Sequence, residues 1–130
     1  MCSRYEMNAR PRDLVERFLL KDEPVLPEKT EVRPTDEALI VVARRPVLCR
    51  WGLRVSWDDK PLINAREETL EQRKTFRPLL RDRCLVPATA YFEWRRDGKR
   101  RFKNRISPDG QDLFAFAALT DGEYFTIITC

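Results

Sequence analysis

Leu14, Val15, Phe18 and Leu19 recur at the spacing of one helix face just after Pro11, which predicts a short amphipathic helix running to about residue 20. Residues 22–37 then carry Pro24, Pro27 and Pro34 among charged side chains and read as a loop, too short to link two domains. Residues 38–43 are an apolar, β-branched run, and residues 47–51 read as a second strand after the break at Pro46. Asn64-Ala65-Arg66-Glu67 has capping-box spacing with asparagine in the cap position, predicting a helix that Pro78 ends or bends. From Cys84 onward the pattern is all strand. Residues 84–86, 90–95, 100–106, 113–119 and 124–129 are separated by Pro87, Asp97-Gly98, Pro108-Asp109-Gly110 and Asp121-Gly122. Turns at that spacing predict an antiparallel meander or part of a barrel.

A chain of 130 residues suits one domain, residues 1–130, able to bury about two-thirds of its unfolded surface. Its 25 Lys and Arg against 21 Asp and Glu leave +4, an excess that permits a polyanionic partner without demanding one. No apolar stretch is long enough to cross a bilayer, and the basic N-terminus lacks the apolar core of a signal peptide, so an intracellular protein is expected. Cys2, Cys49, Cys84 and Cys130 are widely spaced, which points to neither a disulfide framework nor a zinc site. Cys49 and Cys84 read as small core residues. The chain has no histidine. That removes Ser-His and Cys-His catalysis in their usual forms and the commonest transition-metal ligand, leaving acid–base work to carboxylates or to the N-terminus.

The chemistry centres on Cys2, directly after the initiator methionine. Removal of Met1 leaves an α-amine and a thiol on adjacent carbons, and such a 1,2-aminothiol captures aldehydes. The amine forms a Schiff base, the thiolate closes on the same carbon, and a five-membered thiazolidine results from a single residue. An α-amine titrates near roughly 7.7–8.0 and a free thiol near roughly 8.5, so both have a usable deprotonated fraction at neutral pH. The plain alternative is a small residue at a frayed end.

Met1-Cys2-Ser3-Arg4-Tyr5, Arg33-Pro34-Thr35, Trp51-Gly52-Leu53 with Ser56-Trp57, Asn64 to Thr69, Arg83 to Pro87, Tyr91-Phe92-Glu93-Trp94, residues 114–117 and residues 125–129 follow in an order that resembles the SOS response-associated peptidase (SRAP) family. The resemblance covers nearly the whole chain. With the strand pattern it implies an α+β fold, a mostly antiparallel sheet forming an open or incomplete barrel with two or three short helices. It also implies a sensor of abasic sites in single-stranded DNA that forms a thiazolidine crosslink through its N-terminal cysteine. This is a self-crosslinking activity that carries lyase and peptidase labels, the latter for autoprocessing of the N-terminus. No cofactor or metal is implied, and localisation to the cytoplasm or nucleoid is expected for a bacterial protein. A catalytically impaired single-stranded nucleic-acid binding module of the same fold is the alternative.

Residue by residue, the resemblance places Asn64 beside the reactive cysteine, although asparagine is also a favoured helix cap. It assigns Arg66 to DNA phosphate and Glu93 to proton transfer during sugar-ring opening and Schiff-base formation. Strand alternation puts Phe92 and Trp94 on one face, and Tyr91, Glu93 and Arg95 on the other. Arg4, Arg54, Arg95 and Arg96 are further candidates for phosphate contacts. Trp51, Trp57 and Trp94 are candidates to wedge or stack against bases, with at least one of the three expected to be packing only. Ser3 stands where the family has glycine, and Pro87-Ala88-Thr89-Ala90 where it has Pro-Ala-Asp-Gly. The sequence stops before the family's His-x-Arg-Met-Pro segment, which reads either as a truncation or as a compact variant that crosslinks with altered efficiency. The apolar C-terminal strand is expected to lack a following partner and to favour self-association.

Overall fold

In the computed structural model, which describes residues 2–110 and 112–130, the chain begins with β1 (Tyr5–Glu6), α1 (Pro11–Phe18), β2 (Glu31–Val32), β3 (Glu37–Val42) and β4 (Arg45–Trp51). The expected removal of Met1 falls outside the described residues. A hairpin of β5 (Leu53–Val55) and β6 (Asp58–Leu62) leads to β7 (Asn64–Arg66) and two 3-10 turns, Glu67–Thr69 and Arg77–Leu79. The chain then runs through β8 (Arg83–Ala88), β9 (Ala90–Asp97), β10 (Arg100–Ile106), β11 (Phe114–Thr120) and β12 (Tyr124–Thr129). Among the described residues α1 is the one α-helix, so the expected second helix at Asn64 is absent.

β3, β4, β12, β11 and β8 pair in sequence around a ring, which β3 closes against β8 through Val41 and Leu85. The barrel is therefore closed with five strands, correcting the open or incomplete one expected. Closure removes free edges. It also sorts side chains by the two-residue period of a strand: Ala38, Ile40, Cys49, Trp51, Cys84, Val86, Ala118, Phe125 and Ile127 fill the interior. The opposite face of β3 presents Leu39 and Val41 to Leu14 of α1 and to Leu20 just beyond it. Burial on both faces is why this segment is a continuous apolar run rather than an alternation.

Pro11 sits in the first turn of α1, where its missing N–H has no partner to lose. The helix stops at Phe18 because Leu19 turns left-handed at φ 52°, and the Leu20 N–H returns to the Val15 carbonyl at 3.1 Å.

β12 is not the unpartnered strand expected from the sequence. Phe125, Thr126 and Ile127 pair with β11 on one side, while the other side runs parallel to β4 and then to β7. Over Phe125 and Ile127 both edges of β12 are therefore paired.

A second sheet in the order β10-β9-β1-β2 leans on the barrel, and the two are joined through Thr89 between β8 and β9. The proline-rich loop thus contributes a two-residue strand, β2, too short to leave a periodic trace in the sequence.

Two predictions test this packing. Gly52 joins β4 to β5 at φ +120°, and a Cβ there would lie 2.6 Å from the Cβ of Pro61. Gly52→Ala is expected to cost about 3 kcal/mol in urea unfolding through strain and overlap together; a change within about 0.5 kcal/mol would show that the hairpin yields freely. Burial in the barrel pushes the Cys84 thiol up from 9.0 to about 12. The native state then keeps a proton that the unfolded chain loses, so this contribution is complete below pH 9 and is lost as pH rises from 9 through 12. The melting temperature should fall over that range, and less steeply in Cys84→Ala; an identical slope in the variant would contradict the assignment.

Candidate functional site

β1 has two residues and is paired on both sides, Tyr5 standing opposite Val32 of β2 and Tyr91 of β9. The Thr89 N–H donates to the Glu6 carbonyl at 2.7 Å, and the Phe92 N–H to the Arg4 carbonyl at 3.0 Å. The Tyr5 ring is fully buried, 5.2 Å from Trp51 and 5.7 Å from Phe116 between ring centroids. Cys2 is therefore three residues from an anchor in the barrel core. Its own side chain is buried, and the thiol donates to the Arg4 carbonyl at 3.6 Å.

Asn64 reaches the same place from the far end of the chain. Its backbone pairs in parallel with β12 opposite Ile127, and its Nδ2 donates to the Cys2 carbonyl at 3.0 Å. The helix-cap reading is thus corrected: the ladder with β12 takes the backbone that a helix would need, and the helical geometry that follows is the short 3-10 turn Glu67–Thr69. The Asn64 Oδ1 is buried and has no partner among the described residues.

Burial is the main reason that the Cys2 thiol rises from 9.0 to about 11, with the negative Glu93 carboxylate adding to it and the hydrogen bond to Arg4 opposing it. The influence of Glu93 on the thiol matches its place on β9, where alternation puts it on the side of Tyr91, whose ring meets Phe116 at the barrel. Glu93 itself is exposed.

Ser3, Arg4, Phe92, Glu93, Trp94 and Arg101 line an open groove of about 500 Å³ beside Cys2. The Arg4 guanidinium lies 4.8 Å over the Trp94 ring and pairs with Glu31 at 3.8 Å. Arg101 approaches Trp94 from β10 at 5.9 Å, and the Lys103 ammonium lies 4.3 Å from the Phe92 ring. Arg101 and Lys103 were not among the sequence candidates. Their signal is the basic run 99–105, whose alternate residues share a strand face: Lys103 stands opposite Trp94 in the β9–β10 ladder.

Cys2, Asn64, Glu93, Arg4 and Trp94 are thus brought together. Trp51 is not available to a base: it is fully buried, stacks 6.3 Å from Phe125, and donates its indole N–H to the Ile63 carbonyl at 2.9 Å. Trp57 is 68% exposed at the turn between β5 and β6 and contributes nothing to the groove lining. Arg66 is exposed and pairs with Glu68 at 3.7 Å. Arg54 donates to the Asp59 carbonyl at 3.4 Å across its hairpin, Arg95 covers the Phe102 ring at 5.0 Å, and Arg96 is exposed.

A family model described as SOS response associated peptidase (SRAP) matches residues 1–130. The abasic site processing protein YoqW of Bacillus subtilis is 36% identical over 135 residues, covering 92% of this chain and 59% of that protein. The abasic site processing protein YedK of Escherichia coli is 33% identical over 132 residues, covering 90% and 59%. The chain thus spans about three-fifths of the length of these curated relatives. Solved structures of proteins from Bacteroides thetaiotaomicron and Bordetella bronchiseptica superpose with TM-scores of 0.81 and 0.83 at 24% and 21% identity, over 98% of this chain and 67% and 71% of theirs. They show that the fold is shared. The match along the full chain, with relatives at a third identity, establishes that this protein belongs to the SRAP family.

Proposed function

We propose that the chain senses abasic sites in single-stranded DNA and is crosslinked to them by Cys2 once Met1 has been removed. The observation that carries this reading is the pairing of Asn64 Nδ2 with the Cys2 carbonyl at 3.0 Å, which holds a residue with aldehyde-trapping chemistry beside a groove lined by Arg4, Glu93 and Trp94. The names of the relatives, abasic site processing proteins, support the same substrate.

The raised thiol sets the order of steps. The α-amine that removal of Met1 leaves titrates near roughly 7.7–8.0, and, with the thiol raised by its burial, it attacks the aldehyde first. Its nitrogen bonds to the ring-opened C1′, and loss of one water gives the imine. Sγ then bonds to the same carbon, the thiol proton passes to nitrogen, and the ring closes with no oxidant or reductant consumed. Glu93 shuttles protons: its carboxylate takes the hydrogen of the C1′ hydroxyl and passes it to the ring oxygen as the sugar opens, and in the imine-forming step it carries the proton lost by nitrogen to the hydroxyl that leaves as water. The Oδ1 of Asn64, without a partner among the described residues, provides an acceptor for the freed amine, while its Nδ2 holds the Cys2 carbonyl. Arg4 and Arg66 meet backbone phosphate, and Trp94, stacked under Arg4, and the exposed Trp57 offer surfaces to bases.

Two substitutions test the chemistry. Cys2→Ser should abolish the adduct that survives denaturation, because the oxygen analogue of the ring is far more labile, while retaining weak binding to the strand. A denaturation-resistant adduct formed by Cys2→Ser without borohydride would refute the thiazolidine, and wild-type binding with no adduct would favour the non-covalent module. Glu93→Gln should slow adduct formation by ~10²-fold with an unchanged melting temperature. A wild-type rate across neutral pH in this variant would remove Glu93 from the mechanism.

A further inference from the structure

Glu31 gathers cations from both edges of the second sheet. Its Oε1 faces the Arg4 Nη1 at 3.8 Å and accepts a hydrogen bond from the Lys103 ammonium, while its Oε2 faces the Arg33 Nη2 at 4.0 Å. Glu31 lies on the edge strand β2 and Lys103 on the opposite edge strand β10, so the four side chains meet over the sheet face that carries Phe92 and Trp94. The Lys103 hydrogen bond, with the Arg4 and Arg33 charges behind it, holds the carboxyl below the usual carboxylate range.

One carboxylate cannot satisfy this group. Three cations around it leave an excess of positive charge, and the Nε of Arg4 is buried with no partner among the described residues. A phosphodiester carries the same charge as the carboxylate and offers acceptor oxygens along more directions, which suits two guanidinium forks and an ammonium better. Arg4 also stacks on Trp94, so a phosphate held here lies next to the groove beside Cys2.

We propose that Arg4, Arg33 and Lys103 form a seat for one backbone phosphate, and that Glu31 fills this seat in the free protein and is displaced when a strand binds. The proposal rests on the single-stranded DNA reading above and assigns that strand two contacts, Arg33 and Lys103, outside the expected set. An internal competitor lowers affinity for an undamaged strand, so that lasting attachment depends on covalent capture at Cys2.

The test compares wild type, Glu31→Gln and Arg33→Ala with two probes: undamaged oligothymidylate by fluorescence anisotropy over a salt series, and inorganic pyrophosphate by calorimetry. Glu31→Gln keeps the shape of a partly exposed side chain, and its melting temperature verifies folding. It should bind the oligonucleotide about 3- to 10-fold more tightly at low salt, the scale of a freed surface ion pair or two, and also bind pyrophosphate more tightly. Its log–log salt slope should stay close to that of wild type, since both seat the same phosphate, and that of Arg33→Ala should flatten by about 0.7 with weaker binding. Unchanged or weaker binding of both probes by Glu31→Gln, where wild type binds the strand in a salt-dependent way, overturns the seat and leaves the DNA reading intact. If no variant binds the strand, the DNA reading fails, and tighter pyrophosphate binding by Glu31→Gln then identifies a seat for free phosphate instead.

Discussion

The site depends on the pinning of a two-residue strand. A reactive residue near an N-terminus is ordinarily at a frayed end, where a catalytic geometry is populated only part of the time. Here β1 is laddered on both edges, and Tyr5 is buried without exposure between Trp51 and Phe116 of the barrel. Burial of such a ring is worth roughly 2–3 kcal/mol, more than the backbone freedom of one ordered residue costs. From that anchor Arg4 and Cys2 take fixed places, and Asn64 closes the clamp from a strand that exists because β12 holds it.

The same pinning has a chemical consequence. Burial places Cys2 accurately and also holds its thiol protonated, near 11, so position is gained at the expense of thiolate. An aminothiol tolerates this because its amine makes the first bond, after which the thiol attacks an imine already tethered to it. The groove beside it is polar and open, with cations resting on the aromatic faces of Phe92 and Trp94. Such a surface suits a backbone passing through more than a small ligand held inside.

Much of this was legible in the sequence, and the failures share a cause. Strands of five or more residues with alternating or doubly buried patterns announced themselves, as did the helix after Pro11. The Tyr91–Trp94 alternation placed Glu93 on the side where it influences Cys2. Asn64 to Glu67 carries a sound local signal for a helix start, but pairing with β12 overrides it, and such pairing is visible only once residues 64 and 127 are known to be neighbours. Which tryptophan would be packing only, and what would pair with the C-terminal strand, could not be read for the same reason: Trp51 is core and β12 is laddered to β11, β4 and β7 through contacts distant in sequence. Glu31 lay unnoticed in a proline-rich loop, since nothing local marks a residue whose partners come from residues 4 and 103.

The central claim is that one residue supplies both bonds to an aldehyde. The most direct measurement uses single-stranded DNA carrying an abasic site labelled with carbon-13 at C1′, incubated with protein whose Met1 has been removed and read by NMR without reductant. The account predicts a saturated carbon bonded to nitrogen and sulfur, correlated to the Cys2 protons. A persistent imine carbon, or an aldehyde and hemiacetal that never react, would contradict it.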